Sequence, residues 1–236
     1  MDSDRRPPGP SGAARRTRTR WVFDGFIAGI GTASGTRLVL GHWTDSPFGP
    51  VSDVMLEHGD GHRVLLAPDP RTADFIAGTY CFDEVRVEPV VVRSDANCWT
   101  VTSYSLSLRF ATGRRGPLGL LLRAVPAALA VRPLWIAAVD RPARALRGVR
   151  TRGTAGGGRH EWYGARDLRP VVSATAAYEG VDLGPPAPVA PPVRFGFGST
   201  PRTPCLVRVT TTVEGPRTAG AAGGGQLLSR RLKKDR

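Results

Sequence analysis

GHWTDSPFGPVSDVMLE, residues 41–57, is the segment around which the rest of this chain is arranged. It brings a histidine, a tryptophan, three acids and two prolines together between hydrophobic segments. Residues 36–43 alternate as a strand, with Leu38 and Leu40 on one face. Each proline fixes φ and biases the residue before it away from helix, so the strand breaks there. Residues 51–57 then resume as a strand or one short helix.

Further strands are predicted on both sides of this segment. The sequence HGDGH at 58–62 is typical of a hairpin turn, because Asp-Gly supplies the positive φ that such turns need. Alternation favours strands over 84–93, over 98–110 and, most clearly, over 205–213. Residues 133–139 form an apolar run that we interpret as one more strand.

Two helices are predicted. The first lies within residues 68–80, where Asp69 is the N-cap and Pro70 occupies the first turn. The second is apolar and runs from Pro117 to about Ala130, with Pro126 kinking or splitting it. Strands outnumber helices and are joined by short turns. We therefore predict an α+β fold, a strongly curved and mainly antiparallel β-sheet or barrel with one or two covering helices.

Composition indicates one domain with two basic ends. The chain has 236 residues and a net charge of +13, of which residues 1–20 and 214–236 contribute +4 each. We predict a disordered basic arm over 1–20, a single α+β domain over 21–213 and a disordered Gly/Ala-rich tail over 214–236. Charge confined to such ends is weak evidence for nucleic-acid binding, which we do not predict.

The distribution of lysine excludes one class of chemistry. Lys233 and Lys234 are the only lysines in the chain. Arginine does not deprotonate in proteins, so it forms no Schiff base. A lysine nucleophile and a phosphate-loop lysine are both absent from residues 1–232.

Cysteine usage and hydropathy favour the cytoplasm. Cys81, Cys98 and Cys205 are odd in number and widely spaced, which is typical of small core residues rather than of disulfides or a metal site. The pair Arg15-Arg16 resembles a twin-arginine export signal, but Asp24 and several glycines interrupt the apolar run after it. No transmembrane segment is predicted, and a homo-oligomer is left open.

Asp53 and Glu57 are the candidate catalytic residues. Their spacing of four puts both on one side of either a strand or a helix. Paired carboxylates suit general acid–base work, while the alternative is a set of surface acids beside a structured proline loop. No metal-ligand signature is present, so we predict no metal and no cofactor.

A second candidate region is His160-Glu161-Trp162-Tyr163. Aromatic residues beside ionisable groups are typical of a pocket mouth and equally of a barrel rim. We predict Trp43, Trp162, Tyr163 and Arg194 as ligand-binding residues.

The stretch SPFGPVSDVMLE, Ser46 to Glu57, followed by a short helix, paired strands and an apolar helix, resembles bacterial proteins distantly similar to the acetoacetate decarboxylase-like superfamily. That resemblance implies a curved β-barrel or cone around an apolar pocket. The superfamily's decarboxylases use a core lysine, which this chain lacks, so the resemblance does not carry Schiff-base chemistry over.

The sequence therefore predicts a small-molecule-binding, β-barrel-like protein whose ligand is small and partly apolar, with an acidic group on the ligand left open. The first alternative is a lysine-independent hydrolase, lyase or isomerase that uses Asp53 or Glu57 as its base and an arginine as oxyanion partner. The second alternative is an interaction protein that docks through its basic ends.

Overall fold

The computed structural model describes residues 18–147, 149–198 and 200–216. The strands and helices follow in chain order: β1 (Arg18–Thr32), β2 (Arg37–Asp45), β3 (Val51–Glu57), β4 (Arg63–Ala67), α1 (Pro70–Ala77), β5 (Glu84–Val87), β6 (Val91–Asp95), β7 (Cys98–Thr102), β8 (Leu106–Thr112), α2 (Pro117–Ala124), α3 (Ala127–Ala130), α4 (Pro133–Arg147), β9 (Arg152–Thr154), β10 (His160–Tyr178), β11 (Val181–Asp182), β12 (Pro186–Ala187) and β13 (Cys205–Pro216).

The strands form one curved sheet, and the prediction of an α+β fold with such a sheet is confirmed. Its main path runs β5-β4-β3-β2-β1-β13-β10-β8-β7-β6, and its pairs are antiparallel except β4 with β5. Among the described residues there are four α-helices rather than one or two.

The connection between the two edge strands shows how far the sheet curls. Laid flat, ten strands would separate β5 from β6 by about 43 Å. Val87 ends β5 and Val91 begins β6, so the chain between them spans at most about 14 Å. The two edges therefore come close together at this corner. Glu88 stabilises this corner, because its carboxylate accepts hydrogen bonds from the hydroxyls of Ser103 and Ser105 beside the opposite edge.

The enclosed face of this sheet is packed solid with side chains. Its core takes alternate residues from strands at both ends of the path, including Leu40, Leu56 and Leu108. Trp99 of β7 lies 5.2 Å from the ring of Phe26 of β1 across the interior. The hollow that the sequence predicted inside the curved sheet is therefore not on this face.

Several local predictions hold because they depend on nearest neighbours in sequence. Asp69 caps α1 and accepts a hydrogen bond from the backbone N–H of Thr72. Residues 51–57 form a strand, and the turn at 58–62 is closed by a hydrogen bond from the backbone N–H of His58 to the carbonyl of His62. Pro126 separates α2 from α3 as expected.

Two local predictions were wrong. Residues 133–139 begin the helix α4, because a short apolar run does not distinguish a strand from a helix by periodicity and Pro133 suits a first helical turn. Residues 84–93 form two strands, since Pro89 interrupts the ladder and the chain crosses there to the other edge.

The first and last of the described strands pair with each other. β1 begins at Arg18 and β13 ends at Pro216, and Arg18 pairs with Pro216 in register. The rest of the predicted arm and tail, residues 1–17 and 217–236, lies outside the described residues. Of the three cysteines, Cys205 is buried, whereas Cys81 is exposed and Cys98 half-buried, which corrects the prediction that all three are core residues.

Candidate functional site

A cavity of about 710 Å³ lies on the reverse face of the sheet. Its floor is continuous across five strands. Asp53 of β3 pairs in register with Gly41 of β2, Gly41 with Ile27 of β1, Ile27 with Val207 of β13, and Val207 with Leu168 of β10. All five line the cavity. Because side chains alternate along a strand, these residues face away from the packed interior.

Helices close the cavity over this floor. Phe75 and Ile76 of α1 form one wall, and the chain from Val193 to Pro201 passes beside it. We use the name helical cover for residues 113–152, which include α2, α3 and α4. Leu122 of α2 and Ile136 of α4 turn inward onto the cavity. The walls are almost wholly apolar, which is the usual character of a small-molecule site.

Asp53 is the most isolated charge-bearing group in this wall. Its side chain is 2 % exposed. Oδ1 accepts a hydrogen bond from Nε1 of Trp43 at 3.1 Å, and no other described residue bonds to the carboxyl. Burial raises the pKa of Asp53 to about 7, and the Trp43 bond opposes that shift only in part. The carboxyl can therefore hold or release a proton near neutral pH.

Gly41 makes the arrangement of Asp53 and Trp43 possible. A Cβ at this position would lie 2.5 Å from Oδ1 of Asp53 and 2.8 Å from Nε1 of Trp43. Any larger residue would displace the carboxyl or the indole, so the glycine keeps this part of the floor open.

A second acid, Glu161, lies in the same cavity. Both oxygens accept hydrogen bonds from the hydroxyl of Tyr80 at 3.0 Å, and Oε2 also accepts one from Tyr163 at 3.0 Å. Burial raises the pKa of Glu161 to about 7, while the two tyrosine hydroxyls and the nearby Arg159 lower it. The same burial, with Glu161 beside them, raises the pKa values of both tyrosines well above the ordinary range.

Thr211 supplies an unused polar group. It lies on β13 between Phe23 of β1 and Tyr163 of β10 and lines the cavity. Its hydroxyl is buried and has no hydrogen-bond partner among the described residues. Since buried polar groups are almost always hydrogen-bonded, this hydroxyl is an exception within the cavity wall.

Glu57 shares the face of Asp53 but lies outside the cavity lining. It is fully buried, and its Oε1 is 3.0 Å from Nη2 of Arg37 and 3.0 Å from Nε of Arg194. The backbone N–H of Arg194 donates to Oε2 at 2.7 Å. A carboxylate held by two guanidinium groups is a structural ion pair, so we do not retain Glu57 as a catalytic base.

Of the four predicted ligand-binding residues, two line the cavity and two do not. Trp43 and Tyr163 line the cavity, whereas Trp162 and Arg194 do not. Trp162 lies next to Tyr163 on β10, so alternation turns it to the other face, where its ring is 6.3 Å from that of His160. The guanidinium of Arg194 is directed to Glu57, and most of the side chain is exposed.

Glu161 and Tyr80 were not among the site residues predicted from the sequence. Reading residues 160–178 as one strand would have placed Glu161 and Tyr163 together on one face of the sheet. Tyr80 follows a helix far away in the chain, and no local pattern in the sequence pairs it with Glu161.

No cluster of three or more metal-ligating side chains occurs within the described ranges. None of the described helices is both long enough and apolar enough to cross a bilayer.

Comparisons with known proteins show likenesses of shape only. No family model matches the chain, and no curated protein matches it significantly. A crystal structure of acetoacetate decarboxylase from Legionella pneumophila is similar over 89 % of this chain and 90 % of that one, with 9 % identity and a TM-score of 0.37. A protein described as AttH from Nitrosomonas europaea is similar over 90 % of this chain, with 10 % identity and a TM-score of 0.23, and the match spans 58 % of that protein.

At such identities and TM-scores we take no activity from either likeness, because function lies in site residues and not in the fold.

Proposed function

We propose that this protein binds a small, mainly apolar, uncharged molecule in the cavity between the sheet and its helices. The observation that carries the proposal is an apolar cavity of about 710 Å³ whose floor presents Asp53 with a single hydrogen bond. That volume lies within the ordinary range of ligand pockets. Apolar walls provide affinity, and a few polar groups fix the orientation of the ligand.

The polar groups define what the ligand carries. Protonated Asp53 would donate a hydrogen bond to a carbonyl oxygen, and ionised Asp53 would accept one from a hydroxyl group. The hydroxyl of Thr211 can donate a hydrogen bond to a carbonyl oxygen or accept one from a hydroxyl group. A ligand with one hydroxyl or carbonyl group at each end of an apolar body satisfies both.

An acidic ligand is disfavoured, which revises part of the sequence-based expectation. The ionisable acids on the wall are Asp53 and Glu161, and the cavity's one lining arginine among the described residues is Arg150, whose side chain is exposed. A carboxylate ligand would therefore lie beside two carboxyls, with no buried cation among the described lining residues. Residues 18–216 contain no lysine, so the proposal involves no Schiff base. A cytoplasmic location and a homo-oligomer stay predictions.

Filling the cavity should abolish binding of an apolar probe. Ile27→Trp adds a large ring to the centre of the floor, and we expect it to weaken binding of the neutral dye N-phenyl-1-naphthylamine at least tenfold, since the dye loses its contacts with the apolar walls. Val22→Trp is the matched control, because Val22 is exposed on the same strand and outside the cavity. Dye fluorescence measures both. Equal binding by the two variants would contradict the proposal.

Native mass spectrometry of the freshly purified full chain tests the same proposal without a chosen probe. A retained neutral molecule that is absent from Ile27→Trp and present in Val22→Trp would support it. A retained anion would contradict the proposed ligand class.

The raised pKa values favour a second candidate, an enzyme with Asp53 as general base. A base with a pKa near 7 suits proton transfer at neutral pH. Asp53→Asn distinguishes the two, because a blocked enzyme retains substrate where the parent retains product. Mass spectrometry of the molecule retained by each protein measures this. The same molecule in both, identical in mass and in chromatographic retention, indicates a binding protein.

A further inference from the structure

We propose that the outward surface of the helical cover, residues 113–152, docks on an anionic lipid bilayer. This inference concerns the outer side of the cover and does not depend on what the cavity binds. It is based on exposed leucines and on an unusual concentration of arginine in one part of the body.

Large apolar side chains project outward from this cover. Leu134 of α4 is 86 % exposed, and Leu120 and Leu121 of α2 are 60 % and 64 % exposed. In α4 the inward side is taken by Ile136 and Asp140, both buried. Leu134 therefore takes no part in the core that the described residues form.

The positive charge of residues 18–216 is concentrated in this helical cover. Residues 113–152 hold nine arginines and one aspartate, a net charge of +8, whereas the rest of 18–216 has a net charge of −2. The one aspartate, Asp140, is buried and accepts hydrogen bonds from Thr151. No carboxylate of the cover itself therefore faces solvent.

Several of these arginines have no ion-pair partner among the described residues. Arg115 pairs with Asp167. Four others are exposed and form no ion pair with any described residue: Arg114, Arg132, Arg141 and Arg150. On α4, Leu134 and Arg141 are seven residues apart, so they lie on the same side of the helix.

A surface with exposed leucines, unpaired arginines and no exposed acid of its own suits the headgroup region of an anionic membrane. Leucines enter the headgroup region while arginines contact phosphates, and each basic residue near such a surface contributes favourably to binding. A nucleic acid would satisfy the arginines but would gain nothing from Leu120 and Leu134. Leu121 also lines the cavity. The docked face would thus lie directly above the cavity that we propose for an apolar ligand.

Vesicle co-sedimentation of the full chain tests the proposal. We expect binding to vesicles of 30 % phosphatidylglycerol in phosphatidylcholine, little binding to pure phosphatidylcholine, and loss of binding as salt rises. The triple variant Arg114→Gln, Arg132→Gln and Arg141→Gln should bind about a hundredfold more weakly. The matched control replaces Arg93, Arg109 and Arg202, exposed arginines elsewhere on the body, by glutamine and should bind as the parent does.

The leucines separate docking from simple charge attraction. Leu120→Ser with Leu134→Ser leaves the charge unaltered and should weaken vesicle binding roughly tenfold. Val172→Ser with Val181→Ser, on exposed positions of β10 and β11, is its control and should have no effect. Neither leucine lines the cavity, so dye binding in solution should stay unchanged and report that the fold is intact.

The basic end of the chain is the rival source of membrane binding. A variant with Arg230, Arg231, Lys233 and Lys234 replaced by glutamine should retain most of the binding. If this variant loses binding while the leucine variant keeps it, the chain end and not the helical cover is responsible, and the proposal is wrong.

Discussion

Replacing Asp53 by asparagine should stabilise this protein by about 4 kcal/mol at pH 8 and by less than about 1 kcal/mol at pH 4. The carboxyl is buried in an apolar wall without a cation, and its pKa is raised from an ordinary 3.8 to about 7. Asparagine keeps an acceptor for Nε1 of Trp43 and never ionises. The substitution therefore removes the cost of a buried charge and retains the hydrogen bond.

The pH dependence follows from which state binds the proton more tightly. Below about pH 4 Asp53 is protonated in both the folded and the unfolded chain, so it contributes no penalty. Between about pH 4 and 7 the unfolded chain releases this proton while the folded protein retains it, and stability falls. Above pH 7 both forms are ionised and the loss is complete. The advantage of Asp53→Asn should grow across that window.

Urea denaturation at a series of pH values measures this effect. Asp45→Asn is the control, since Asp45 is an exposed acid at the end of β2 and its replacement should change the free energy of unfolding little at any pH. An asparagine variant that is less stable than the parent at pH 8 would show that Asp53 has a partner that stabilises its charge.

Replacing Glu57 by glutamine should have the opposite sign. We expect a loss of about 3–5 kcal/mol at pH 7, although Glu57 lies on the same face of the same strand and is equally buried. The change removes the negative charge between Arg37 and Arg194. Arg37 is buried and its Nε already lacks a partner, so its charge would be left uncompensated.

The control for Glu57 is an exposed ion pair. Glu84 bonds to Arg86 with both side chains partly exposed to solvent, and Glu84→Gln should cost less than about 1 kcal/mol. Thermal and urea unfolding of both variants measure the difference. Similar small losses for Glu57→Gln and Glu84→Gln would mean that water reaches Arg37, which would contradict the burial found here.

The contrast between Asp53 and Glu57 shows where sequence reasoning stopped. Their spacing placed both acids on one face, and the structure agrees. It does not tell them apart, because the difference lies in their partners. Arg194 is 137 residues away from Glu57 along the chain, and Trp43 reaches Asp53 from the neighbouring strand.

The candidate site illustrates the same limit. Trp43, Asp53 and Tyr163 were predicted from their local context and line the cavity. Tyr80 and Glu161 meet only in the folded protein, because their hydrogen bond joins residues 81 positions apart. The cavity lies on the opposite face of the sheet from the one predicted. The curled face is filled by its own side chains, and the helices cover the other face.

The sequence by itself determined the strands with clear alternation, the cap at Asp69, the turn at 58–62, the break at Pro126 and the absence of lysine from the body. Each of these depends on residues a few positions apart or on composition alone. Only the tertiary structure decided which sheet face holds the cavity, which buried acid is paired and which arginines stay unused. Those outcomes depend on contacts between distant segments, and burial and pairing set the energy of a charged group far more than its neighbours in sequence do.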